Sequence, residues 1–178
     1  MENSTKVVTG RVRFSYANVF EPKSVNGGDE KYSVSLIIPK SDKKTISDIK
    51  SAIEQAKKDG ATKFGGKAPA NLKLPLRDGD VDRADDETYK DSYFVNANSK
   101  DRPGVVDKNV KAILDQTEFY SGCYGRASIT FYAFNQNGSR GVACYLQNLQ
   151  KLADGEPLSG RSRAEDDFTT ADDDDFLA

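Results

Sequence analysis

The sequence predicts a mainly β domain with one α-helix, followed by an acidic segment unable to fold by itself. Three observations carry this. Cys123 to Gln150 holds two long alternating runs joined by Asn137-Gly138. Lys6–Phe14, Lys31–Ile38 and Tyr89–Asn98 show the same alternation of apolar and polar residues, the period of a strand. Ser41–Lys58 instead carries Ile46, Ile49, Ile53 and Ala56 at spacings of three and four, the period of a helix.

Lys6–Phe14 reads as a strand with Val8, Val12 and Phe14 on one side and Thr9, Arg11 and Arg13 on the other. Two arginines two residues apart form a short basic stripe suited to phosphates; a solvated, aggregation-resistant edge is the plainer account. Asn18–Glu30, with Pro22 and Asn26-Gly27-Gly28, reads as a turn. In the next strand Tyr32, Val34, Leu36 and Ile38 form the buried side. The helix follows, with Ser41, Asp42 or Thr45 available as its cap and Gly60 as its stop. Thr62–Pro75 is irregular and basic, either an arm over a nucleic-acid strand or an ordinary loop. Arg77–Asp91 is acid-rich; Asp78-x-Asp80-x-Asp82 begins like a calcium loop, but Arg83 replaces the required Gly, so a solvated charged loop is expected. Tyr89–Asn98 is a strand, and Lys100 and Arg102 at its mouth are candidate phosphate contacts.

The Asn-Gly pair supplies two positive φ angles cheaply, which a two-residue hairpin turn requires. That turn places Gln136 opposite Ser139, Phe131 opposite Cys144, Ile129 opposite Leu146 and Ala133 opposite Val142, so one face is apolar. The other face carries Tyr124, Arg126, Ser128, Thr130, Tyr132 and Phe134, with Tyr145 and Gln147 from the second strand. Aromatics alternating with a guanidinium and hydrogen-bonding groups suit unpaired bases. A second layer or a subunit partner covering this face is the alternative, and Leu149 on the same face fits that better.

Composition narrows the chemistry. There is no His, so serine and cysteine triads and His-containing zinc motifs are excluded, and two cysteines cannot make a four-thiolate zinc site. No apolar run is long enough to span a bilayer and no leader pattern opens the chain, so a soluble protein of a reducing compartment is expected, with Cys123 and Cys144 as free buried thiols. The net charge of −2 hides an asymmetry: residues 164–178 hold seven acids and no base, leaving a body of 26 bases against 21 acids, net +5. Within that acidic segment Asp172, Asp173, Asp174 and Asp175 precede Phe176, a pattern that steers a ring to a basic surface. Ala153–Gly160 and Arg161-Ser-Arg163 read as a linker.

The run Phe119–Phe134, the stretch Phe94–Asp107, the helix after the early strands and the acidic tail together resemble the phage single-stranded DNA-binding proteins of the T7 type. The resemblance spans residues 6–152 and 164–178. It implies an OB-fold-like five-stranded Greek-key barrel over 1–152, a linker over 153–163 and a disordered acidic tail over 164–178. It also implies sequence-tolerant binding of single-stranded DNA without cofactor or metal, in the host cytoplasm. Bases would stack on Tyr124, Tyr132, Phe134 and Tyr145, and phosphates would meet Arg11, Arg13, Lys100, Arg102 and Arg126. The tail would fill the DNA groove when DNA is absent and contact replication proteins such as a polymerase or helicase. One departure stands: Leu177-Ala178 follow Phe176, so a pocket reading a terminal carboxylate beside the ring fits less well. Two competitors remain in view. One is a structural or adaptor protein, for example a homodimer joined through the aromatic hairpin face. The other is a metal-dependent nuclease using Asp78, Asp80, Asp82 and Asp85.

Overall fold

The computed structural model describes residues 4–24, 28–66, 72–136 and 139–158. Its strands are β1 Lys6–Val8, β2 Val12–Ser24, β3 Glu30–Pro39, β4 Leu76–Asp78, β5 Ser92–Ser99, β6 Gly104–Val106, β7 Tyr124–Gln136 and β8 Ser139–Ala153; the helices are α1 Lys43–Asp59 and the single turn α2 Gly79–Asp82.

The hairpin forms as the turn chemistry requires. Gln136 lies opposite Ser139, Ala133 opposite Val142, Phe131 opposite Cys144 and Ile129 opposite Leu146. The Asn137-Gly138 turn itself lies outside the described residues. Toward the base of the hairpin the register slips, and β8 gains one residue between Leu146 and Asn148. Such a bulge reverses the side-chain faces beyond it. Leu149 therefore turns inward opposite Ala127 and is buried, so the expectation that it shares the aromatic face is corrected.

Five strands close into a barrel in the order β2, β3, β5, β8, β7 and back to β2. The pair β5–β8 is parallel and the others are antiparallel, the pairing of an OB-fold. These are the five strands that the alternation marks out. The interior holds Phe14, Leu36, Ile38, Val95, Ile129, Phe131 and Leu146, all nearly inaccessible. The residue Lys73 pairs with Gly141 of β8, and β4 pairs with β5, so this stretch fills the gap where β5 and β8 touch only at Asn98 and Tyr145.

Three boundaries differ from the alternation pattern. Lys6–Phe14 is two strands rather than one, because the chain leaves its ladder at Thr9-Gly10. Thr9 Oγ1 accepts from Ala127 N–H, Gly10 N–H donates to Thr45 Oγ1, and a Cβ on Gly10 would lie 2.6 Å from Asp42 Oδ2. The break reverses parity, so Val7 is inside (5% exposed) and Val8 outside (52%). β2 runs on to Ser24 through the stretch expected to be a turn; Pro22 is tolerated where the β2–β3 register is irregular between Asn18 and Lys23. Finally β5 begins at Ser92, because Tyr89 is an anchor in a short helical turn, not a strand residue.

α1 packs its Ile46, Ile49, Ala52, Ile53 and Ala56 stripe against the barrel. Its cap is Asp42, which accepts from Thr45 N–H at 3.2 Å and from Thr45 Oγ1 at 2.7 Å. Replacing Asp42 by Ala is expected to cost about 1 kcal/mol in urea unfolding, the usual worth of an N-cap. Its other end approaches β7 so closely that a Cβ on Gly60 would sit 2.3 Å from Ala133 Cβ.

Candidate nucleic-acid interface

The register places outward-facing side chains in rows across the barrel. Tyr124 of β7, Arg13 of β2, Ile37 of β3, Phe94 of β5 and Arg77 of β4 form the first row. Ser15, Ser35 and Asn96 form the second, and Asn18, Ser33, Asn98 and Tyr145 the third. Beyond them Lys23 lies opposite Lys31.

The acid-rich segment partly covers this face. Tyr89 is buried against Ile37 and Phe94, meets the Phe94 ring edge-on at 5.0 Å, and its hydroxyl donates to Ser35 Oγ at 3.2 Å. The base of the segment is tied to the barrel by Lys40, whose Nζ reaches Asp78 at 2.9 Å and Asp80 at 2.7 Å. The Lys40 hydrogen bond, and then the Asp91 N–H, hold the Asp80 carboxyl below the usual carboxylate range. Asp78 also caps α2 through Asp80 N–H. Asp78 and Asp80 thus have structural partners, whereas Asp82 and Asp85 are exposed.

Between this segment and β2 runs a groove made of three adjoining depressions that share Thr88 and Lys23. At one end stand Arg11, Arg13 and Tyr124, in the middle Ser15, Tyr16 and Asn18, and at the other end Lys23, Lys31, Ser33 and Asn98. Cations stand at both ends, an exposed ring and hydrogen-bonding groups lie in the middle, and one carboxylate (Asp42, Asp86 and Asp29 in turn) lines each depression. Such a channel can track a phosphate backbone while its rings take bases.

The predicted residues are distributed around this groove. Arg11 and Arg13 lie over the Tyr124 ring, at 4.8 and 5.3 Å from its centroid. Arg13 also donates to Gly122 O at 3.1 Å and to Glu156 O at 2.7 Å. Tyr145, beside Asn98, donates to Asp101 Oδ2 at 3.1 Å. Lys100 is exposed and pairs with Asp29 at 3.5 Å, while Arg102 sits 5.8 Å over the Phe20 ring. Arg126 lies further round the barrel, its Nε donating to Thr9 O at 2.9 Å. Tyr132 and Phe134 lie toward the hairpin tip, Tyr132 exposed and Phe134 half-buried. Arg11, Arg13 and Tyr124 are therefore one cluster, whereas Tyr145, Lys100, Arg102 and Arg126 have partners of their own elsewhere. Asp172, Asp173, Asp174, Asp175 and Phe176 lie outside the described residues.

Tyr16, Lys23 and Lys31 in the groove, and Arg83 beside it, escaped the sequence reading. Tyr16 is 58% exposed in the groove, at a kink where its φ is +48°. Arg83 places its guanidinium 5.8 Å from the Tyr16 centroid, 5.5 Å from Tyr89 and 5.6 Å from Phe94. Tyr16 falls between the expected strand Lys6–Phe14 and the expected turn Asn18–Glu30, and nothing in its neighbours signals a left-handed backbone. Arg83 reads as a stray base among acids, because its aromatic partners come from other elements.

The stretch after β8 does not leave the barrel at once. Gly155 N–H donates to the Tyr120 hydroxyl, Leu158 N–H donates to Ser121 O at 2.8 Å, and Leu158 lines the middle of the groove. Cys123 and Cys144 are free and buried, and burial raises both thiols above their ordinary values.

Comparison with known proteins gives a consistent set of relatives. A family model described as the ssDNA-binding protein of Enterobacter phage Enc34 matches residues 5–177. Protein p50 of Acyrthosiphon pisum secondary endosymbiont phage 1 is 32% identical over 188 aligned residues, covering 97% of this chain and 99% of that protein. The solved single-stranded DNA-binding protein of bacteriophage Enc34, in complex with ssDNA, superposes with a TM-score of 0.79 at 25% identity, over 89% of this chain and 95% of that one. The single-stranded DNA-binding protein gp2.5 of bacteriophage T7 shares the fold, with a TM-score of 0.62 at 14% identity over 92% of each chain.

Proposed function

This chain belongs to the family of the Enterobacter phage Enc34 ssDNA-binding protein, and from that premise we propose that it is a non-catalytic, sequence-tolerant binder of single-stranded DNA in a phage life cycle. The observation that carries this reading is the continuous groove from Arg11, Arg13 and Tyr124 to Lys23 and Lys31. It lies across β2, β3 and β5, which are the first three barrel strands, and OB-folds bind oligonucleotides on the face of their second and third strands. Ser15, Asn18, Thr88 and Ser121 line its middle around the Tyr16 ring, beside the single carboxylate Asp86, so bases can be held by stacking and water without a fixed sequence.

Phosphates would meet Arg11, Arg13, Lys23 and Lys31, with Lys100 and Arg102 at the Tyr145 end; bases would stack on Tyr16, Tyr124 and Tyr145. Arg126, Tyr132 and Phe134 would extend the path round the hairpin for longer DNA. In this reading residues 1–152 are the DNA-binding domain and 153–163 a linker. The acidic segment 164–178 recruits proteins of replication, recombination or repair through Asp172–Asp175 and Phe176.

The test is a fluorescence-anisotropy titration with labelled oligo(dT) across a salt series, on the full chain and on a version ending at Arg163. With about six phosphates neutralised, log K falls with log salt at a slope of about −4. Removing the acidic segment is expected to tighten binding. Absence of binding by both versions sinks the proposal and turns attention to the outer face of the hairpin as a protein interface.

A further inference from the structure

In the middle of the groove β2 carries one residue more than β3. Ser15 lies opposite Ser35 and Asn18 opposite Ser33, so three steps along β2 match two along β3. Such a bulge re-aims a side chain. Here it holds Tyr16 at φ +48°, a left-handed backbone that is costly for a bulky residue, with the ring 58% exposed in the groove. The surroundings fix the kink. Ala17 N–H donates to Ser121 Oγ at 2.9 Å, and the Asn18 side-chain amide donates to Tyr16 O at 3.2 Å. Core packing does not account for a strained backbone that presents a ring to water.

Arg83 braces that ring. Asp82, Asp85, Asp86 and Glu87 are its close neighbours in the chain, yet among the described residues its guanidinium forms no ion pair with any of them. It lies instead over Tyr16, Tyr89 and Phe94, which belong to three different elements. Tyr89 and Phe94 are both buried, so the guanidinium rests on a fixed base and reaches Tyr16 from it. A phosphate brought to Arg83 would also meet the neighbouring carboxylates, which disfavours a direct backbone contact there. We propose that Tyr16 and Arg83 form a preassembled stacking platform for one base of the strand, with Arg83 as a positioning residue that acts through Tyr16. The bulge aims the ring and the guanidinium holds it, which cuts the entropy lost in ordering the ring when a base arrives. This inference rests on the DNA path proposed above and assigns a role that a phosphate contact would not have.

The chain contains no Trp, so Tyr16→Trp puts a single indole at the platform of the full chain. Without DNA, adding Arg83→Gln is expected to lower the steady-state fluorescence anisotropy of that indole. With Arg83 in place, oligo(dT) is expected to quench its emission. Affinity for labelled oligo(dT) then completes a double-variant cycle. Arg83→Gln is expected to weaken binding about fivefold at every salt concentration, the worth of an exposed cation–π contact. In the Tyr16→Ala background the same substitution is expected to cost less than about twofold, because its effect passes through the ring. Unchanged indole anisotropy, no quenching, no loss on Arg83→Gln, the full loss persisting in the Tyr16→Ala background, or a salt slope shallower by about 0.7 would each overturn the proposal. Absence of oligo(dT) binding by the unsubstituted chain sinks the DNA reading itself; retained binding with any of those outcomes sinks the platform alone.

Discussion

A Tyr16→Ala/Tyr124→Ala double variant is expected to bind oligo(dT) weaker by roughly 2–6 kcal/mol, because each stacked base is worth about 1–3 kcal/mol by alanine substitution. Tyr16 offers an exposed ring in the middle of the groove, with the Arg83 guanidinium against it. Tyr124 supports the Arg11 and Arg13 guanidiniums at the groove's end, so its loss also frees those cations from their position. The salt series identifies the mechanism. Loss of stacking lowers affinity by a similar factor at every salt concentration and leaves the slope unchanged. Loss of a phosphate contact, as in Arg11→Ala or Lys23→Ala, makes the slope shallower by about 0.7 per contact. An unchanged affinity in the double variant would remove this groove as the DNA path. Retained affinity together with a large loss in Tyr132→Ala/Phe134→Ala would move the path to the hairpin's outer face.

The second large effect is on folding. Phe14→Ala is expected to destabilise the chain by about 3–5 kcal/mol, the usual cost of emptying a buried aromatic site. The ring is fully buried, packs on Phe119 at 4.8 Å, and lies where a Cβ on Gly125 would come within 2.8 Å of it. It therefore holds β2, β7 and the Phe119 segment together at the barrel's seam, where β2 and β7 pair through only two residue pairs. Little else can move in to fill the space. A chemical-denaturation midpoint lowered in proportion checks this. Oligo(dT) affinity measured well below the new midpoint should stay near its original value, since Phe14 points inward and its neighbour Arg13 outward. A large affinity loss in still-folded protein would show that the seam also shapes the groove.

Much of this molecule follows from short-range chemistry. The Asn-Gly turn, the alternating strands and the helix stripe involve residues that are neighbours in the chain, and their faces follow from periods of 2 and 3.6. The β7–β8 register down to Ile129 and the five barrel strands were legible on that ground, and the helix start was narrowed to Ser41, Asp42 or Thr45, of which the structure uses Asp42. The acidic end was legible from composition alone.

What escaped depends on contacts between distant segments. The break at Thr9-Gly10 exists because Thr45 and Asp42 of the helix start come up against it, and so Val7 rather than Val8 faces inward. The bulge in β8 turns Leu149 to the core, where it packs opposite Ala127, and alternation counted from the turn cannot register an added residue. The acid-rich stretch reads as solvated because most of it is, yet Tyr89 anchors it on the sheet and makes it one wall of the groove. The sequence by itself determined the centres of the five barrel strands, the helix and the distribution of charge, but not where the strands begin and end. Closure of the barrel decided which cations and rings share a groove, because side chains on β2, β3 and β7 become neighbours only when long-range backbone pairing brings those strands together.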